Sequence, residues 1–580
     1  MKVTNKVRIT LLMLSLLFIG AGWPLKEKLG LTSTFGEWRE GHVHAGIDLP
    51  TEETGKEVYS VSDGWVMRVR TSPWGYGKAI YIKDSLGRVF VYAHLSSFSK
   101  SIKKRVREEQ LKELTYKVDI WFKKGEIPVK EGEIIGISGR SGCYAPHLHF
   151  EMRDKENNPV DPLIRGFSIP DNIPPEIYAI RFVPLDDTST ICGSHLGAIF
   201  HTGQDTPSVC IKGRVGLEIE TYDKVNGHSG LLSPKEIELY VGGKLVRKEY
   251  YDRFSYTHDG DSRFEFDFTN RVRTGRKFRR LFTVLGNDLP FYEGRDGILT
   301  TKDHGLVSII VKDAASNESK ISIFLGDSNA RNYCRFKRGY ENFLNFTIFT
   351  NGILLRKDNS LGWIEASKIG KIVKSGDSIL VWNIDVKRHP LYKSPDSRCI
   401  IYPSNDAILN TSLISVKVSR GKPIKWVWEP PIPLNGRITM EIKAPFEPNS
   451  YSIYELLESE WKYYETYLEG NKLITTIDNF GTFTCLSDTV SPSIFLKKSY
   501  LNSNTPIIVH VSDSLSGIDF FSIKTLIDEK PTVFRYDPEM DRLIHEYPEE
   551  ISLGSHTLGV LLKDRQGNET SGKWEFHKGY

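Results

Sequence analysis

Two histidines, His147 and His149, lie one residue apart in the apolar run YAPHLHFE at residues 144–151. If this run forms a β-strand, side chains two residues apart point to the same face. Both imidazoles then face one space, while Leu148 and Phe150 turn the other way into a core. Such a pair can do chemistry together, or it can simply lie half-exposed on a sheet. The remaining histidines of the N-terminal region help to distinguish the two interpretations.

A second candidate group lies upstream in GHVHAGIDLP, residues 41–50, where His44 precedes Asp48 by four residues. Positions four apart on extended backbone share a face, so both side chains could ligate one ion. Gly46 between them permits a bend or a close approach of another backbone. Two histidines and one aspartate form a donor set of the catalytic zinc type, which keeps a fourth position for water. Zinc lowers the pKa of that water to about 7.

A third histidine, His94, ends the β-type run VYAHLSS at residues 91–97. Alone it would be an ordinary half-buried histidine. Three histidine-bearing motifs within the first 151 residues change that interpretation. Together they predict one site assembled from separate strands, although the spacing does not decide which histidine has which role.

The combination resembles the lysostaphin-like, LytM-type zinc metallopeptidases that cleave peptidoglycan. The resemblance covers roughly residues 23–167 and is carried by HAGID at 44–48, YAHL at 92–95 and HLHFE at 147–151. It implies that His44, Asp48 and His149 bind one Zn²⁺. It also implies that His94 and His147 are the catalytic pair, which orients or deprotonates the water and stabilises the oxyanion.

Two further residues near these motifs are interpreted with the family pattern. The pattern uses the histidine four residues before the aspartate, so His42 is predicted to be a rim residue. The loop SGCYAPHLHF at residues 141–150 is shorter than the loop that the family pattern has before its HLH motif. Cys143 in that loop is either an additional thiol near the zinc or an inert loop cysteine, and the second interpretation is favoured.

The elements that must position these residues are mainly β-strands. From Val58 onward, short β-type runs alternate with Gly, Asn and Asp turns. The exception is FSKSIKKRVREEQLKEL, where apolar residues recur at helical spacing, at Phe98, Ile102, Val106, Leu111 and Leu114. The predicted fold is a β-sheet groove peptidase of the duplicated hybrid motif type with one inserted helix. About three β-sandwich, Ig-like domains follow.

The chain of 580 residues is long enough for several domains. A Pro- and Asn-rich stretch marks a boundary near residue 170, and few contacts are expected to cross it. The segments HGLVSIIVKDAASNES (304–319) and GSHTLGVLLKDRQGNET (554–570) resemble each other, as do the turns at Asp223 and Asp513. We therefore predict a signal peptide at 1–22, the peptidase at 23–170, Ig-like sandwiches at 171–327 and 489–580, and a β domain at 328–488.

Composition and charge exclude several classes of protein. With 39% hydrophobic and 26% charged residues the chain is globular, and a net charge of +4 is too small to indicate nucleic-acid binding. The basic start and the apolar run at 9–22 indicate a secretory signal peptide, with an uncleaved anchor as the alternative. Six cysteines without a CxxC motif argue against a cysteine zinc site. Export would permit disulfides, and Cys192 and Cys210 are the nearest pair in sequence.

The sequence therefore predicts an extracytoplasmic zinc metalloendopeptidase that hydrolyses peptide cross-links of peptidoglycan. It is expected in the periplasm, in the cell envelope or outside the cell. No nucleic-acid partner and no membrane span in the mature form are expected, and the oligomeric state is not predicted. The alternatives are a non-enzymatic activator of other wall hydrolases and a surface-binding β-sandwich protein. All five site positions are present, which argues against the activator.

The bond that is cut is not determined by the sequence. By the resemblance, it is either a glycine bridge or a D-Ala–diaminopimelate link. No recognisable SH3-type wall-targeting module is visible, and this favours the second.

Overall fold

The computed structural model describes residues 22–326 and 391–579, with gaps at 28–29, 40, 52–54, 187, 204–207, 285, 405–412, 420, 432, 444–449 and 458. Between 327 and 390 it describes only the backbone of short strands. The predicted signal peptide and Cys334 lie outside the described residues. Within them, no helix is long and apolar enough to span a bilayer.

The N-terminal domain contains short strands and one α-helix in its described part. The helix is Lys100–Glu113 (α1), and a 3₁₀ helix covers Pro162–Arg165. The strands are Trp38–Arg39 (β1), His42–Val43 (β2), Ile47–Pro50 (β3), Glu57–Tyr59 (β4), Gly64–Thr71 (β5), Ala79–Lys83 (β6), Val89–Ala93 (β7), Ser97–Phe98 (β8), Val118–Trp121 (β9), Pro128–Val129 (β10), Ile134–Ile137 (β11), His147–Arg153 (β12) and Pro159–Val160 (β13).

Strand β12 lies inside an eight-stranded sheet and brings the three motifs together. The sheet has the order β10-β5-β6-β7-β12-β13, with β3 also paired to β12 and β9 to β5. In the register of this sheet, His149 lies opposite Asp48 on one neighbouring strand and opposite Ala93 on the other. His94 directly follows Ala93. The register therefore places HAGID, YAHL and HLHFE side by side.

The alternation predicted for β12 is confirmed. Leu148 and Phe150 are fully buried in the domain core, where they pack with Ile47, Phe90 and Tyr92. The histidines between them point to the opposite face. This alternation fixes the sheet register, because a shift by one residue would turn the histidines into the core.

The predicted helix is present, but its buried face differs from the prediction. Ile102 and Val106 are buried, whereas Leu111 and Leu114 are 38% and 56% exposed. Arg107 and Gln110 are buried instead. The reason is that the C-terminal domain packs on this side of α1, so the helix buries polar side chains against a second protein surface.

The segment 171–326 forms two large packed sheets and one small two-stranded sheet. Its core contains apolar side chains from both sheets, including Phe182, Leu217, Leu239 and Ile309. A helix covers Phe268–Thr274, and the strands are Glu176–Pro184, Thr190–Ile191, Ala198–His201, Ser208–Val209, Ile211–Lys212, Arg214–Val225, His228–Leu232, Glu236–Val241, Lys244–Tyr250, Arg279–Arg280, Tyr292–Gly294, Leu299–Thr300, Gly305–Lys312 and Glu318–Leu325.

The C-terminal segment also consists of two sheets, one of four strands and one of five. Val509, Leu543, Leu558 and Leu562 lie in its core. Its strands are Ser493–Leu496, Tyr500–Leu501, Ile507–Ser512, Ile518–Ile527, Lys530–Thr532, Arg535–Asp537, Arg542–His545, Gly554–Asp564 and Glu569–Lys578.

The intervening segment contains a seven-stranded and a five-stranded sheet, together with a separate four-stranded sheet. Its described core joins the two larger sheets through Val416, Trp428, Met440 and Ile477. The strands are Arg335–Phe336, Glu341–Asn342, Phe346–Phe349, Gly352–Lys357, Ser360–Glu365, Val373–Ser375, Ile379–Asn383, Tyr392–Lys393, Cys399–Tyr402, Leu413–Ser419, Lys425–Glu429, Pro433–Lys443, Tyr451–Leu457, Glu460–Tyr464, Tyr467–Glu469, Lys472–Asn479 and Thr482–Ser487. The fold is thus mainly β, as predicted.

More contacts cross the domain boundaries than the sequence indicated. Val225 and Leu232, from the segment after the boundary at 170, belong to the core of the N-terminal domain. Tyr116 of the N-terminal domain lies in the core of the C-terminal segment. Arg107 pairs with Glu550, whose oxygens lie 2.9 and 3.0 Å from its Nε. The expectation of few crossing contacts is wrong, because a proline-rich linker does not prevent later domains from folding back.

Candidate metal centre and neighbouring histidines

The three predicted ligands converge on one point. His44 Nε2 lies 3.1 Å from Asp48 Oδ1 and 3.0 Å from His149 Nδ1, and His149 Nδ1 lies 2.9 Å from Asp48 Oδ1. The three atoms form a nearly equilateral triangle. His44 and Asp48 are each 6% exposed and His149 is 3% exposed.

Hydrogen bonds on the outer side of each histidine determine which nitrogen faces the triangle. His44 Nδ1 lies 2.8 Å from the Thr34 carbonyl oxygen, which can only accept, so Nδ1 carries the proton. His149 Nε2 lies 2.9 Å from Glu151 Oε1 and donates to it. Metal-binding histidines are held in this way, by donating their other N–H to a carbonyl or carboxylate. Both remaining nitrogens therefore face the carboxylate of Asp48.

Such a triangle requires positive charge at its centre. Burial alone would raise the pKa of Asp48, but His44 and His149 hold it well below its usual range. Burial lowers the pKa of His149, yet its hydrogen bonds to Asp48 and Glu151 outweigh burial and raise it to about 9. A proton on His149 can thus supply the charge, and a divalent cation can replace it. The residues fit zinc, because ligands at about 2.1 Å in tetrahedral geometry lie about 3.4 Å apart.

His94 and His147 lie beside the triangle without being part of it. Their ring centroids are 4.5 Å apart, and His147 Nε2 is 3.7 Å from Asp48 Oδ1. The Nδ1 atom of His94 donates to the Ser141 carbonyl at 2.9 Å, and that of His147 donates to the Ala145 carbonyl at 2.9 Å. Each ring therefore carries its free lone pair on Nε2.

Both of these histidines are neutral at pH 7. Burial, reinforced by His147 and His149, lowers the pKa of His94 to about 3. Burial also lowers the pKa of His147. His94 has a φ of +60°, which is uncommon for a residue with a side chain, and such conformations cluster at functional sites. The pair can accept protons but carries no charge that would repel a cation.

Two glycines allow the backbone to assemble the site. A Cβ on Gly46 would lie 2.3 Å from the carbonyl oxygen of Phe150, so only glycine lets the HAGID segment approach β12. This confirms the close approach predicted for that position. At Gly77 a Cβ would lie 2.0 Å from the carbonyl oxygen of Ser141, which accepts the His94 proton.

Sequence reasoning missed three side chains that support His149. Burial would raise the pKa of Glu151, but Arg153 and His149 lower it to about 2, so it accepts as a carboxylate. Arg153 Nε donates to Glu151 Oε2 at 2.6 Å, and the Tyr76 hydroxyl also donates to Glu151. Tyr76 stacks on His149 with centroids 5.2 Å apart. Glu151 could have been found, since it is two residues beyond His149 on the same strand face.

Cys143 and His42 lie at the margin of the site. Cys143 Sγ is 3.9 Å from His147 Nδ1, and His94, Cys143 and His147 form a second group of potential ligand atoms within 4.8 Å. Burial raises the pKa of Cys143 to about 12, so it is a thiol rather than a thiolate at pH 7. His42 is exposed. The exposure of His42 agrees with a rim residue, whereas the proximity of Cys143 to His147 leaves both interpretations of this cysteine open.

A cleft of about 270 Å³ opens beside His44 and His149. Trp74 and Tyr76 of the N-terminal domain line it. Tyr256 and Asp259, which belong to the segment after residue 170, line it as well. Trp74 also contacts Phe520 of the C-terminal segment, with ring centroids 5.5 Å apart. The cleft wall is therefore built by more than one domain.

Comparison with known proteins identifies relatives of this N-terminal region. The family model for peptidase family M23 matches residues 42–111. The DD-carboxypeptidase/endopeptidase Mpg of Neisseria meningitidis serogroup B is 31% identical over 135 residues, which are 23% of this chain and 24% of that protein. The cell division protein DipM of Caulobacter vibrioides is 29% identical over 149 residues, or 24% of this chain and 20% of that protein. The chain thus spans about a quarter or less of the length of these curated relatives.

Solved structures give matches of similar extent. The catalytic domain of the prophage-encoded M23 protein EnpA from Enterococcus faecalis is 28% identical, with a TM-score of 0.16, over 21% of this chain and 79% of that one. A zinc-containing peptidase from Vibrio cholerae is 28% identical, with a TM-score of 0.18, over 26% of this chain and 39% of that one.

Proposed function

Since the chain carries an M23 peptidase domain of the LytM type, we propose that it is an extracytoplasmic zinc metalloendopeptidase that hydrolyses peptide cross-links of bacterial peptidoglycan. The observation that carries this proposal is the triangle of His44 Nε2, Asp48 Oδ1 and His149 Nδ1, with edges of 2.9–3.1 Å. A regulator or an adhesin has no need for three buried ligand atoms directed at one point beside two neutral histidines.

Each residue has a defined task in this proposal. His44, Asp48 and His149 would hold Zn²⁺, which supplies a Lewis acid and makes hydroxide available at neutral pH. His94 and His147 are neutral, and their Nε2 atoms are unprotonated. One can therefore take the proton of the attacking water, donate it in a hydrogen bond to the developing oxyanion and later pass it to the leaving amine. The other can accept a hydrogen bond from that water and so orient it. Proton transfer by a positioned histidine contributes about 10²–10⁴ in rate.

The substrate would be a peptide bound in the cleft beside the metal centre. Tyr76 and Tyr256 offer aromatic surface there, and Asp259 offers a carboxylate whose pKa burial raises to about 6. Mpg is named a DD-carboxypeptidase/endopeptidase, and this supports the D-Ala–diaminopimelate link over a glycine bridge. Repeated β-sandwich domains would position the peptidase at the wall, where multivalent attachment raises its local concentration.

The test is digestion of purified sacculi by the full chain, followed by mass spectrometry of the released peptides. We expect new amino termini at diaminopimelate, and at least a hundredfold less product from His147→Ala. His304→Ala is the matched control and should retain full activity, because His304 lies outside the site and its Nδ1 donates to the nearby Lys302 carbonyl. Release of muropeptides without new amino termini, or equal activity of His147→Ala and the control, would contradict the proposal.

A further inference from the structure

Two groups of three aspartates lie outside the peptidase centre and correspond between the two similar β-sandwich segments. Asp171, Asp223 and Asp313 place carboxylate oxygens within 4.8 Å of one another, and so do Asp488, Asp513 and Asp564. In each segment the first aspartate precedes the first strand. The second lies in the repeat recognised at Asp223 and Asp513, near the end of a strand: Asp223 lies inside Arg214–Val225, and Asp513 directly follows Ile507–Ser512. The third lies at the Lys-Asp pair of the second repeated motif.

The hydrogen bonds around the third aspartate are the same in both groups. The Asn317 side chain donates to Asp313 Oδ2 at 2.7 Å and to the Asp171 carbonyl at 3.3 Å. In the second group, Asn568 donates to Asp564 Oδ2 at 2.6 Å and to the Asp488 carbonyl at 3.0 Å. Both asparagines thus tie the first aspartate to the third, so the spacing of the carboxylates is fixed by the fold.

The second aspartate of each group supplies an independent observation. Asp223 is 5% exposed, and its Oδ1 is buried with no hydrogen-bond partner. The equivalent atom, Asp513 Oδ1, is also buried without a partner. A buried carboxylate oxygen left unpaired is costly. The same atom is left unpaired in both copies, and in each copy its carboxylate faces two others.

No positive side chain in the described part of the chain lies within ion-pair distance of these carboxylates; Lys235 lines the same cavity as Asp171 and Asp223 but pairs with Asp161. Among the ion pairs within 4.0 Å found there, none includes any of the six aspartates. Asp171 and Asp223 also line a cavity of about 60 Å³ beside Leu31 and Phe35 of the N-terminal domain. The first group is therefore open to a space in which an ion and its water can be held.

We propose that each of these aspartate groups binds one Ca²⁺ ion, so that the chain holds two structural calcium ions in addition to its peptidase metal. The donors are all oxygens, without histidine or thiolate, which suits a hard cation rather than zinc. Ca²⁺ accepts six to eight oxygens in a flexible arrangement, and three carboxylates with water can supply them. Mg²⁺ is less suited, because it demands near-ideal octahedral geometry and dehydrates reluctantly.

The position of the two groups gives the ions a structural role. Asp171 ends the connection from the peptidase domain, and Asp488 ends the connection from the intervening domain to the C-terminal segment. Each ion would join the start of a sandwich to the ends of two of its later strands. Both sandwiches contribute to the surroundings of the cleft, through Tyr256 and through the contact between Phe520 and Trp74. Calcium would thus stabilise the arrangement of the domains around the peptidase site.

The test is equilibrium dialysis of the full chain, loaded with one equivalent of zinc, against 1 mM CaCl₂ and 1 mM MgCl₂, with metal counted by atomic emission. We expect two Ca²⁺ per wild-type chain, one in Asp223→Asn, one in Asp513→Asn and none in the double variant. Asp303→Asn and Asp519→Asn remove carboxylates of the same two segments that lie outside the groups and accept backbone N–H bonds. These controls should keep two.

A second measurement keeps the inference testable if a variant folds poorly. Added CaCl₂ should raise the thermal midpoint of the wild-type chain and leave that of the double variant unchanged. Fewer than two bound Ca²⁺ per wild-type chain would overturn the proposal, as would an unchanged count in either single variant. Equal displacement of calcium by magnesium would overturn the choice of ion. None of these outcomes depends on peptidase activity.

Discussion

The replacement Glu151→Gln tests how the structure holds the metal centre. Glu151 is fully buried, and its Oε1 accepts the Nε2 proton of His149 at 2.9 Å. Glutamine keeps the shape of the side chain but removes its negative charge. That charge orients His149 and makes its Nδ1 a stronger ligand for the metal. The zinc ligands themselves are unchanged, so the effect on zinc affinity measures the support alone.

The expected magnitude follows from the contacts. Loss of an outer partner of a metal-binding histidine costs about 10–100-fold in metal affinity, or about 1.4–2.7 kcal/mol. Glu151 also pairs with Arg153, which is only 6% exposed. Leaving that guanidinium with a neutral amide should lower the free energy of unfolding by about 1–3 kcal/mol. The variant should therefore be folded at 25 °C, with weaker zinc binding and lower stability.

The assay is competition for zinc against a chromophoric chelator, with urea unfolding of the metal-free protein measured in parallel. Glu220→Gln is the matched control, because Glu220 is also a buried partner of an arginine, Arg276, but lies outside the metal centre. It should lose stability without losing zinc affinity. If Glu151→Gln binds zinc as tightly as the wild type, the assigned role of Glu151 is wrong.

Three further outcomes are expected. His94→Ala and His147→Ala should each retain one zinc by metal analysis, since neither residue belongs to the triangle, but each should lose most hydrolysis of a soluble peptide. Zinc loss from either variant would refute the division of roles. Zinc affinity, measured by chelator competition, should rise about tenfold per pH unit from pH 6 to 9, because zinc must displace the proton held on His149 below its pKa of about 9. A pH-independent affinity would show that zinc displaces no such proton. Arg107→Ala should lower the free energy of unfolding by about 1–3 kcal/mol and speed proteolytic release of the C-terminal segment, because Glu550 loses a largely buried partner. The loss is limited because the Glu550 side chain is itself 37% exposed. Unchanged proteolysis would mean that this contact does not hold the C-terminal segment in place.

The geometry of the site could be predicted because it depends on local rules. The period of two along β12 determines that His147 and His149 share a face and that Leu148 and Phe150 face the core. The glycine in HAGID indicated the close backbone contact that the structure shows at Gly46. The family resemblance then linked motifs that are about 100 residues apart, which composition and spacing alone could not do.

The supporting residues and the domain contacts could not be predicted in the same way. Tyr76 reaches Glu151 from a loop between β5 and β6, and no pattern in the sequence connects the two. Helical spacing predicted Leu111 on the buried face of α1, but the partner surface is carried by residues near 550. Contacts between segments so distant in sequence depend on the tertiary fold, because a periodic pattern reports only that a face is buried and not what covers it.

A zinc-edge anomalous difference map from crystals of the full chain would locate the zinc ion proposed between His44, Asp48 and His149. We expect one strong peak about 2.0–2.2 Å from His44 Nε2, Asp48 Oδ1 and His149 Nδ1. A peak among His94, Cys143 and His147 instead, or no peak within reach of His149, would contradict it.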